Sequence, residues 1–280
     1  TLSPKLVKAL IGLGQYDIVE LLVERCDLTM SGKLLAMIAD KYAGDEKIRA
    51  ALLARQDLPA ITRLHLMEIV KENLLTAETS KETIAPRQLE RLLSDALDEA
   101  ITRLGEQEEM ARRSEYAEKL CSGQRVNTRI LLKALINGRV MFFARCISLL
   151  AEMPLTKVFS LLERGGRTTL NAMFAKCAMA PALRNLVARL VIYARTCDLT
   201  KDPLARHLVV TALIKELIKE HDGQIPDELE EAFCYLDEQN IALARCAARG
   251  VMPGFALQPP KNDGLALQPD PEQLLPLHAA

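Results

Sequence analysis

The sequence predicts an all-α protein, an α-solenoid of about a dozen helices followed by a proline-rich C-terminal tail. Three observations support this fold class. Apolar residues recur at the spacing of an amphipathic helix nearly throughout, as from Leu204 to His221, and no sustained period-two alternation indicates strands. Prolines repeatedly stand where a first helical turn would begin. Short segments of sequence also recur, which is typical of stacked helical repeats.

Six prolines mark expected helix starts. Proline lacks an amide hydrogen, which the first turn of a helix does not need, and its ring fixes φ near the helical value. These residues are Pro4, Pro59, Pro86, Pro181, Pro203 and Pro226. The helix that starts at Pro86 is expected to be the longest, running towards Leu120 with a polar face. The other predicted helices are mostly short.

Two internal repeats support stacked helices. Residues 6–11 read LVKALI and residues 131–136 read LLKALI, while residues 22–35 and 52–65 share Arg-x-Asp-Leu at an offset of 30. In that second pair, we expect the Asp to accept from free amides at the next helix start and the Arg to lie against a neighbouring helix end. Helix pairs cannot bury their apolar faces alone, so the recurring stripe indicates packing.

The chain divides by composition into four segments. Residues 1–75 carry the N-terminal repeats, and residues 76–120 form a joint, with a polar stretch before the long amphipathic helix. Residues 121–250 are predicted to be a C-terminal helical domain. Residues 251–280 contain six of the 13 prolines and are expected to be a flexible tail.

One long stretch resembles a family of uncharacterised bacterial proteins known as a domain of unknown function. From Gln124 it reads QRVNTRILLKALINGRVMFFARCISLLAEMPLTKVFSLLERGG, and the likeness rests on the L-L-x-A-L-x-x-G core, the Phe-Phe pair, the turn at 150–154 and Gly165. Residues 48–59, IRAALLARQDLP, are similar to the family's short Arg-x-Asp-Leu-Pro repeat. The likeness covers most of residues 20–200. It implies a HEAT-like helical-repeat fold and brings no catalytic residues.

Cysteine usage and hydropathy bear on the compartment. Seven cysteines without a C-x-x-C pair predict free thiols in a reducing, cytoplasmic setting. No apolar run reaches the roughly 20 residues that cross a bilayer, so we expect no transmembrane segment. The sequence opens at Thr1 without a methionine, and an upstream segment could have been removed.

Charge is distributed unevenly along the chain. The net charge is −4 over residues 1–120, +10 over residues 121–201 and −7 over residues 202–280. We expect the middle segment to present one continuous basic face to an acidic protein, a nucleic acid or the chain's own acidic C-terminal third. The candidate residues for binding an anion or partner are Arg125, Arg129, Lys133, Arg139, Arg164, Arg167 and Arg195.

Motifs of catalysis and cofactor binding do not occur in the sequence. The four histidines lack metal-ligand spacing, and there is no G-x-S-x-G elbow or dinucleotide fingerprint. The turn RGGRTT at 164–169 is better explained by a left-handed cap at Gly165 and a helix start at Thr168 than by a phosphate loop. Acidic residues, including those of 105–116, are expected on solvated faces. We therefore predict no enzyme activity, no cofactor and no metal site.

Two function classes remain open. The first is a non-enzymatic cytosolic helical-repeat scaffold that mediates protein–protein interaction, with a regulatory role and a partner that the sequence does not identify. The alternative is a nucleic-acid-binding HEAT-like protein that uses the basic face of residues 121–201. A pI of 6.4 and the absence of Trp speak against nucleic acid. Neutralisation of the basic segment by its acidic flanks would also favour the scaffold.

The tail contains a second kind of repeat. GFALQP at 254–259 recurs as GLALQP at 264–269, and its glycines and prolines disfavour a helix. One interpretation is a duplicated linker. The other is a tandem docking motif, each copy inserting two apolar side chains into a groove of a partner or of this chain. The docking residues would be Phe255, Leu257, Leu265 and Leu267.

Overall fold

The protein is all-α, as the sequence predicts. The computed structural model describes residues 4–25, 27–77 and 84–256, and every helix or strand assigned in these ranges is an α-helix. The fourteen helices of these ranges are α1 (Pro4–Gly12), α2 (Tyr16–Glu24), α3 (Gly32–Tyr42), α4 (Glu46–Ala54), α5 (Ala60–Thr76), α6 (Pro86–Met110), α7 (Glu115–Ser122), α8 (Thr128–Ile136), α9 (Val140–Leu150), α10 (Leu155–Arg164), α11 (Arg167–Lys176), α12 (Pro181–Ala194), α13 (Pro203–Glu220) and α14 (Asp227–Ala256).

Prolines and polar caps set the helix starts. Pro86, Pro181 and Pro203 are the first residues of α6, α12 and α13, which confirms the predicted starts. At the proline-free starts of α3, α4 and α8, a cap side chain accepts from a free amide. The Asn127 side chain accepts from the Ile130 amide at 3.0 Å at the start of α8. The helix order is therefore largely encoded in local sequence.

The long helix predicted from Pro86 towards Leu120 is two helices. Helix α6 ends at Met110, and Arg112 adopts a left-handed backbone with φ of 58°. The Arg113 amide then donates to the Glu108 carbonyl at 2.8 Å, the bond that closes a helix end of this type. Neither Gly nor Pro marks this break, which explains why the sequence pattern missed it.

Helix α14 is longer than predicted. The tail was expected to begin at residue 251, but α14 continues to Ala256 and passes through Pro253. The Ala- and Arg-rich turns before Pro253 favour helix strongly, which offsets the loss of one amide donor. Phe255 therefore lies in a helix, whereas Leu257, Leu265 and Leu267 lie outside the described residues.

The turn between α10 and α11 also differs from expectation. Gly165 has φ of −64° and ψ of 134°, so it is extended and not left-handed, and Gly166 is the cap of α11. Thr168 is the second residue of that helix. Glycine is needed at 165 for space, because a Cβ there would lie 2.5 Å from the Leu161 carbonyl oxygen.

Arg55 clamps the first repeat to the second. Its guanidinium donates to the carbonyls of Val23 (3.0 Å), Arg25 (3.1 Å) and Leu28 (2.6 Å), at and just after the end of α2. This confirms the predicted placement of the arginine against a helix end. Asp57 does not cap the following helix as expected. Its carboxylate accepts from Arg55 at 2.7 and 2.8 Å and from the Met30 amide at 3.5 Å.

Two hydrophobic cores share helix α5. The first core joins α1 to α5, with Leu66 as its contribution from α5. The second runs from α5 to α14 and takes Leu64 from the same helix. Within the predicted joint of residues 76–120, Leu104 and Leu120 belong to this second core. Helix α5 thus positions the N-terminal repeats on the C-terminal helices.

The two copies of the repeated hexapeptide occupy different environments. In α8, residues 130–136 are all buried, and this helix packs against α6, α9, α12 and α14. In α1, Val7 and Ile11 are buried but Lys8 is exposed. Helices α1 to α5 pack on near neighbours in sequence, as helical repeats do.

Candidate functional site at the charged interface of helices α6, α8 and α9

Helix α8 turns two of the predicted basic residues towards α6. Arg129 and Lys133 are one helical turn apart, so they share a face. The Arg129 Nε lies 3.4 Å from Asp98 Oδ2, and its guanidinium lies 4.8 Å from the centre of the Tyr235 ring. Arg129 is thus held between an acid of α6 and an aromatic ring of α14.

Lys133 is buried and fully engaged. Only 4% of the residue is exposed, and its Nζ lies 2.6 Å from Asp95 Oδ1 and 3.2 Å from Gln239 Oε1. The Gln239 Nε2 donates to the same Asp95 oxygen at 2.7 Å. The three side chains form a closed triangle that joins α8, α6 and α14. A buried ammonium requires such partners, because burial without them is costly.

Acidic residues of α6 also hold the start of α9. Arg139 is paired with the Glu99 carboxylate and donates to the Glu99 carbonyl at 3.0 Å. Glu106 accepts from the backbone amides of Met141 (3.3 Å) and Phe142 (2.8 Å), which are free donors at a helix N-terminus. This role is not apparent from the sequence, whose mixed charges at 105–116 suggest a solvated face.

The seven predicted basic residues fall into two groups. Arg125 is paired with Glu68 of α5, and Arg129, Lys133 and Arg139 are paired with α6, so four charges are neutralised by acids outside residues 121–201. The other three are Arg164, Arg167 and Arg195. Arg164 and Arg167 lie at the turn between α10 and α11, and Arg195 follows α12 and reaches this turn with its side chain.

The second group differs in what its members contact. Arg195 donates to the carbonyls of Leu161 (3.1 Å), Leu162 (2.6 Å) and Gly165 (2.8 Å) and so closes the end of α10. Arg164 and Arg167 are exposed. The expected single basic face is therefore split, because α6 brings matching carboxylates against α8 and α9.

Two carboxyl groups of α6 have perturbed pKa values. Burial raises the pKa of Asp98 above its ordinary value, and the attraction of Arg129 only partly opposes this. Burial likewise raises the pKa of Glu109, although Arg145 donates to its Oε2 at 3.0 Å. Its other oxygen, Oε1, is buried and has no hydrogen-bond partner among the described residues. Ionisation of both groups therefore opposes folding.

Asp98→Asn should change how stability depends on pH. Because the pKa of Asp98 is higher in the folded protein than in the unfolded chain, the carboxyl group stabilises the fold while it is protonated, below the unfolded pKa of about 3.9. This contribution to stability is lost as pH rises through the folded-state pKa. Asparagine has no such titration. We expect the stability of the variant relative to the original chain to improve as pH rises from about 4 towards 7. Urea unfolding across this range measures the difference, and a constant difference would contradict it.

Two cavities stand out among the described residues. One lies between α11 and α12, has a volume of about 240 Å³ and is lined by Asn171, Ala172, Pro181, Arg184 and Asn185. The other is an open cavity of about 510 Å³ between α2 and α4, lined by Glu20, Glu24, Lys47, Ala50, Ala51 and Ala54. The Asn171 amide donates to Asn185 Oδ1 at 2.7 Å. Ligand pockets commonly measure about 300–1,000 Å³. Within the described part of the chain, no cluster of three His, Cys, Asp or Glu could hold a metal.

Comparison with protein families decides the relationship. The model of the family described as "Uncharacterised protein conserved in bacteria (DUF2336)" matches residues 1–218. The chain belongs to the DUF2336 family. This confirms the resemblance seen in the sequence. No curated protein and no solved structure matches the chain.

The DUF2336 region includes almost all of the charged interface. Helices α6, α8 and α9, with their paired charges, lie within residues 1–218, whereas Tyr235 and Gln239 of α14 lie beyond the match. In the described residues of the chain, no helix has the combined length and apolar character to span a bilayer.

The last helix of the DUF2336 region leaves an apolar stripe uncovered. Leu204, Leu208 and Ile218 of α13 are 49%, 58% and 43% exposed. With a rotation of about 100° per residue, the three side chains point within an arc of about 80° around the helix axis. They are spread along about 21 Å of the helix, and Lys215 lies on the same face between Leu208 and Ile218. We call these four residues the α13 stripe. The buried side of α13 is also apolar, with Val209, Val210, Leu213, Ile214 and Leu217.

Proposed function

We propose that this protein is a non-enzymatic, cytoplasmic helical-repeat scaffold that binds a protein partner through the α13 stripe. The observation that carries the proposal is the exposure of three large apolar residues on one face of a helix that is packed on its other side. Single exposed leucines are ordinary, but an aligned set marks an interaction surface. Binding without turnover suits a regulatory role.

The surroundings of the stripe indicate the chemistry of the partner. Lys215 lies within it, and Lys219 and Lys201 are exposed at its ends. Thr211 lies on the same face between Leu208 and Ile218 and donates to Asn240 Oδ1 at 2.9 Å, so α14 reaches the middle of this face. An amphipathic helix with apolar residues at i, i+4 and i+7 spacing and acidic flanks fits such a surface. Complementary charge would also steer the encounter.

The charge pairing supports the scaffold over the nucleic-acid alternative. Phosphate groups would have to compete with Asp95, Asp98 and Glu99 for the basic residues of α8 and α9. Of the seven candidates, Arg164, Arg167 and Arg195 are exposed, and the Arg195 guanidinium is engaged with backbone carbonyls at the end of α10. Pairing of the α8 and α9 residues with carboxylates reduces the counterion release on which binding to nucleic acid depends, although Lys157, Lys176 and Lys201 of the segment 121–201 are also exposed.

Leu204→Glu combined with Leu208→Glu should weaken partner binding at least tenfold, because two carboxylates would enter an apolar contact. The partner is first identified by photo-crosslinking from position 208 in the native host, and its affinity is then measured with purified proteins. Leu21→Glu combined with Leu92→Glu is the matched control, since these leucines are 63% and 54% exposed on other helices. Equal losses in both variants, or crosslinks to nucleic acid alone, would refute the proposal.

A further inference from the structure

The α13 stripe lies close to the last described residue of the chain. Helices α13 and α14 pack along each other and are joined only by residues 221–226, so they run antiparallel. The hydrogen bond from Thr211 to Asn240 fixes their register. Measured from this bond in the same direction, Leu204 lies about 10 Å along α13 and Ala256 lies about 24 Å along α14. The chain therefore leaves α14 about 14 Å past Leu204.

We propose that residues 265–275 of this chain, which lie outside the described residues, fold back along the α13 stripe and cover it until a protein partner displaces them. This regulation rests on the function proposed above. The chain continues for 24 residues after Ala256. The nine residues from there to Leu265 span up to about 30 Å, twice the distance back to Leu204. Asn-Asp-Gly at 262–264 favours the reversal of direction that this path needs.

The apolar residues of the segment match the spacing of the stripe. In an extended chain alternate side chains share a side, so Leu265 and Leu267 would point the same way, about 6 to 7 Å apart. Leu204 and Leu208 are about 6 Å apart along α13. A leucine pair of the segment thus meets a leucine pair of the helix. Covering both pairs removes apolar surface from water, which is the main favourable term in such a contact.

Charged groups follow the leucines at the same distance on both sides. Lys215 lies about 16 Å beyond Leu204 on α13. It is exposed and has no ion-pair partner among the described residues. Asp270 lies about 16 Å beyond Leu265 in an extended chain, and Glu272 follows it. A pair between Lys215 and these carboxylates contributes little affinity at an exposed surface, but it selects the register.

Prolines favour the extended conformation that this contact requires. Pro269 and Pro271 restrict the backbone and disfavour a helix. At about 3.1 to 3.3 Å per residue, residues 265–275 span about 31 to 33 Å. Leu204 and Ile218 are about 21 Å apart along α13, so the segment is long enough to cover the stripe. Because prolines already restrict the free chain, docking loses less conformational entropy.

The segment has the chemistry inferred above for the partner, since it combines apolar residues with carboxylates. The two therefore compete for one surface. Attachment to the same chain gives the segment an effective concentration on the order of millimolar, so a weak contact suffices to cover the stripe. Only the uncovered fraction of molecules binds the partner, and the measured affinity falls in proportion.

The test uses the purified chain with the photo-crosslinking residue benzoylphenylalanine in place of Leu208, irradiated without any other protein. After trypsin digestion, residues 207–215 should be joined to residues 262–280. Irradiation of an equal mixture of ¹⁵N-labelled and unlabelled chains shows whether the two peptides come from one molecule. Peptides joined between a labelled and an unlabelled chain, or crosslinks that avoid residues 262–280, would overturn the proposal.

Substitutions within the segment test the contact itself. Leu265→Ser combined with Leu267→Ser should lower the yield of the joined peptide at least about tenfold, because the apolar pair that meets the stripe is lost. Leu257→Ser is the matched control, since Leu257 precedes the turn at 262–264 and should leave the yield unchanged. Circular dichroism checks that the variants keep the same helix content. Equal yields in all of them would show only random collisions of a tethered chain and would contradict the contact.

Partner affinity distinguishes covering of the stripe from the function itself. The partner is the protein that position 208 crosslinks in the native host. The chain with Leu265→Ser and Leu267→Ser should bind it at least about threefold more tightly than the original chain, because the stripe is no longer covered. Equal binding by both chains would refute the covering segment and leave the function intact. A joined peptide within the chain but no partner in the host would refute the function and leave the intramolecular contact.

Discussion

Arg55→Met is expected to lower the free energy of unfolding by about 3–5 kcal/mol. Arg55 is 1% exposed, and its guanidinium is the donor for three backbone carbonyls of the preceding repeat and for the Asp57 carboxylate. Methionine fills similar volume but donates nothing. The carbonyls of Val23 and Leu28 would then be left without the donor they have in the native fold, and each such buried group costs about 1–3 kcal/mol.

The same motif one repeat earlier provides the control. Arg25 and Asp27 also form an ion pair, at 2.6 Å, but their side chains are 54% and 62% exposed. Exposed pairs of this kind contribute little because water screens the charges, so Arg25→Met should be nearly neutral. Urea unfolding followed by far-ultraviolet circular dichroism measures both variants. Similar losses at the two positions would show that burial of Arg55 does not determine its contribution.

Gly105→Ala is expected to destabilise the protein by about 2–3 kcal/mol. Gly105 lies where α6 crosses α9. A Cβ atom at this position would lie within 2.6 Å of three carbon atoms of the Phe142 ring. Phe142 is completely buried and packs against Tyr116 with ring centres 6.4 Å apart, so its ring has little room to move. The helices must separate, which also strains the Glu106 contacts to the start of α9.

Gly250→Ala is the matched control for this prediction. Gly250 is also inside a helix, but a Cβ there would meet nothing within 4 Å. Alanine is the better helix former by about 0.8–1.0 kcal/mol, so this variant should be unchanged or slightly more stable. Thermal unfolding compares the two substitutions. If Gly105→Ala were as stable as the original chain, the close approach of α6 to α9 would not be essential.

Local sequence signals were sufficient to predict most of the helices. Prolines, caps and apolar spacing act within a few residues of each helix start, so the all-α fold and most helix starts could be predicted. The break after Met110 was missed because Arg112 adopts a left-handed backbone with no glycine to signal it. The extension of α14 through Pro253 was missed because Gly250, Pro253 and Gly254 are usual signals of a helix end.

The candidate site depended on contacts between distant parts of the chain. Sequence showed a basic segment and acidic flanks, but not which carboxylates meet which guanidiniums. Lys133 binds Asp95 and Gln239, which lie 38 and 106 residues away along the chain. The apolar stripe of α13 was also invisible in sequence, since Leu204 and Leu208 look like core residues until the packing shows which side of the helix is covered.

The repeated hexapeptide shows which properties the local sequence determines and which depend on the tertiary structure. Sequence alone determined that LVKALI and LLKALI each form a helix with an apolar side, because helix propensity and spacing are local properties. It could not determine that Lys8 would be exposed and Lys133 buried. That difference arises because the described contacts of α1 are mainly with α2, whereas α8 is surrounded by α6, α9, α12 and α14. Burial depends on the number of neighbours, and only the tertiary structure decides that number.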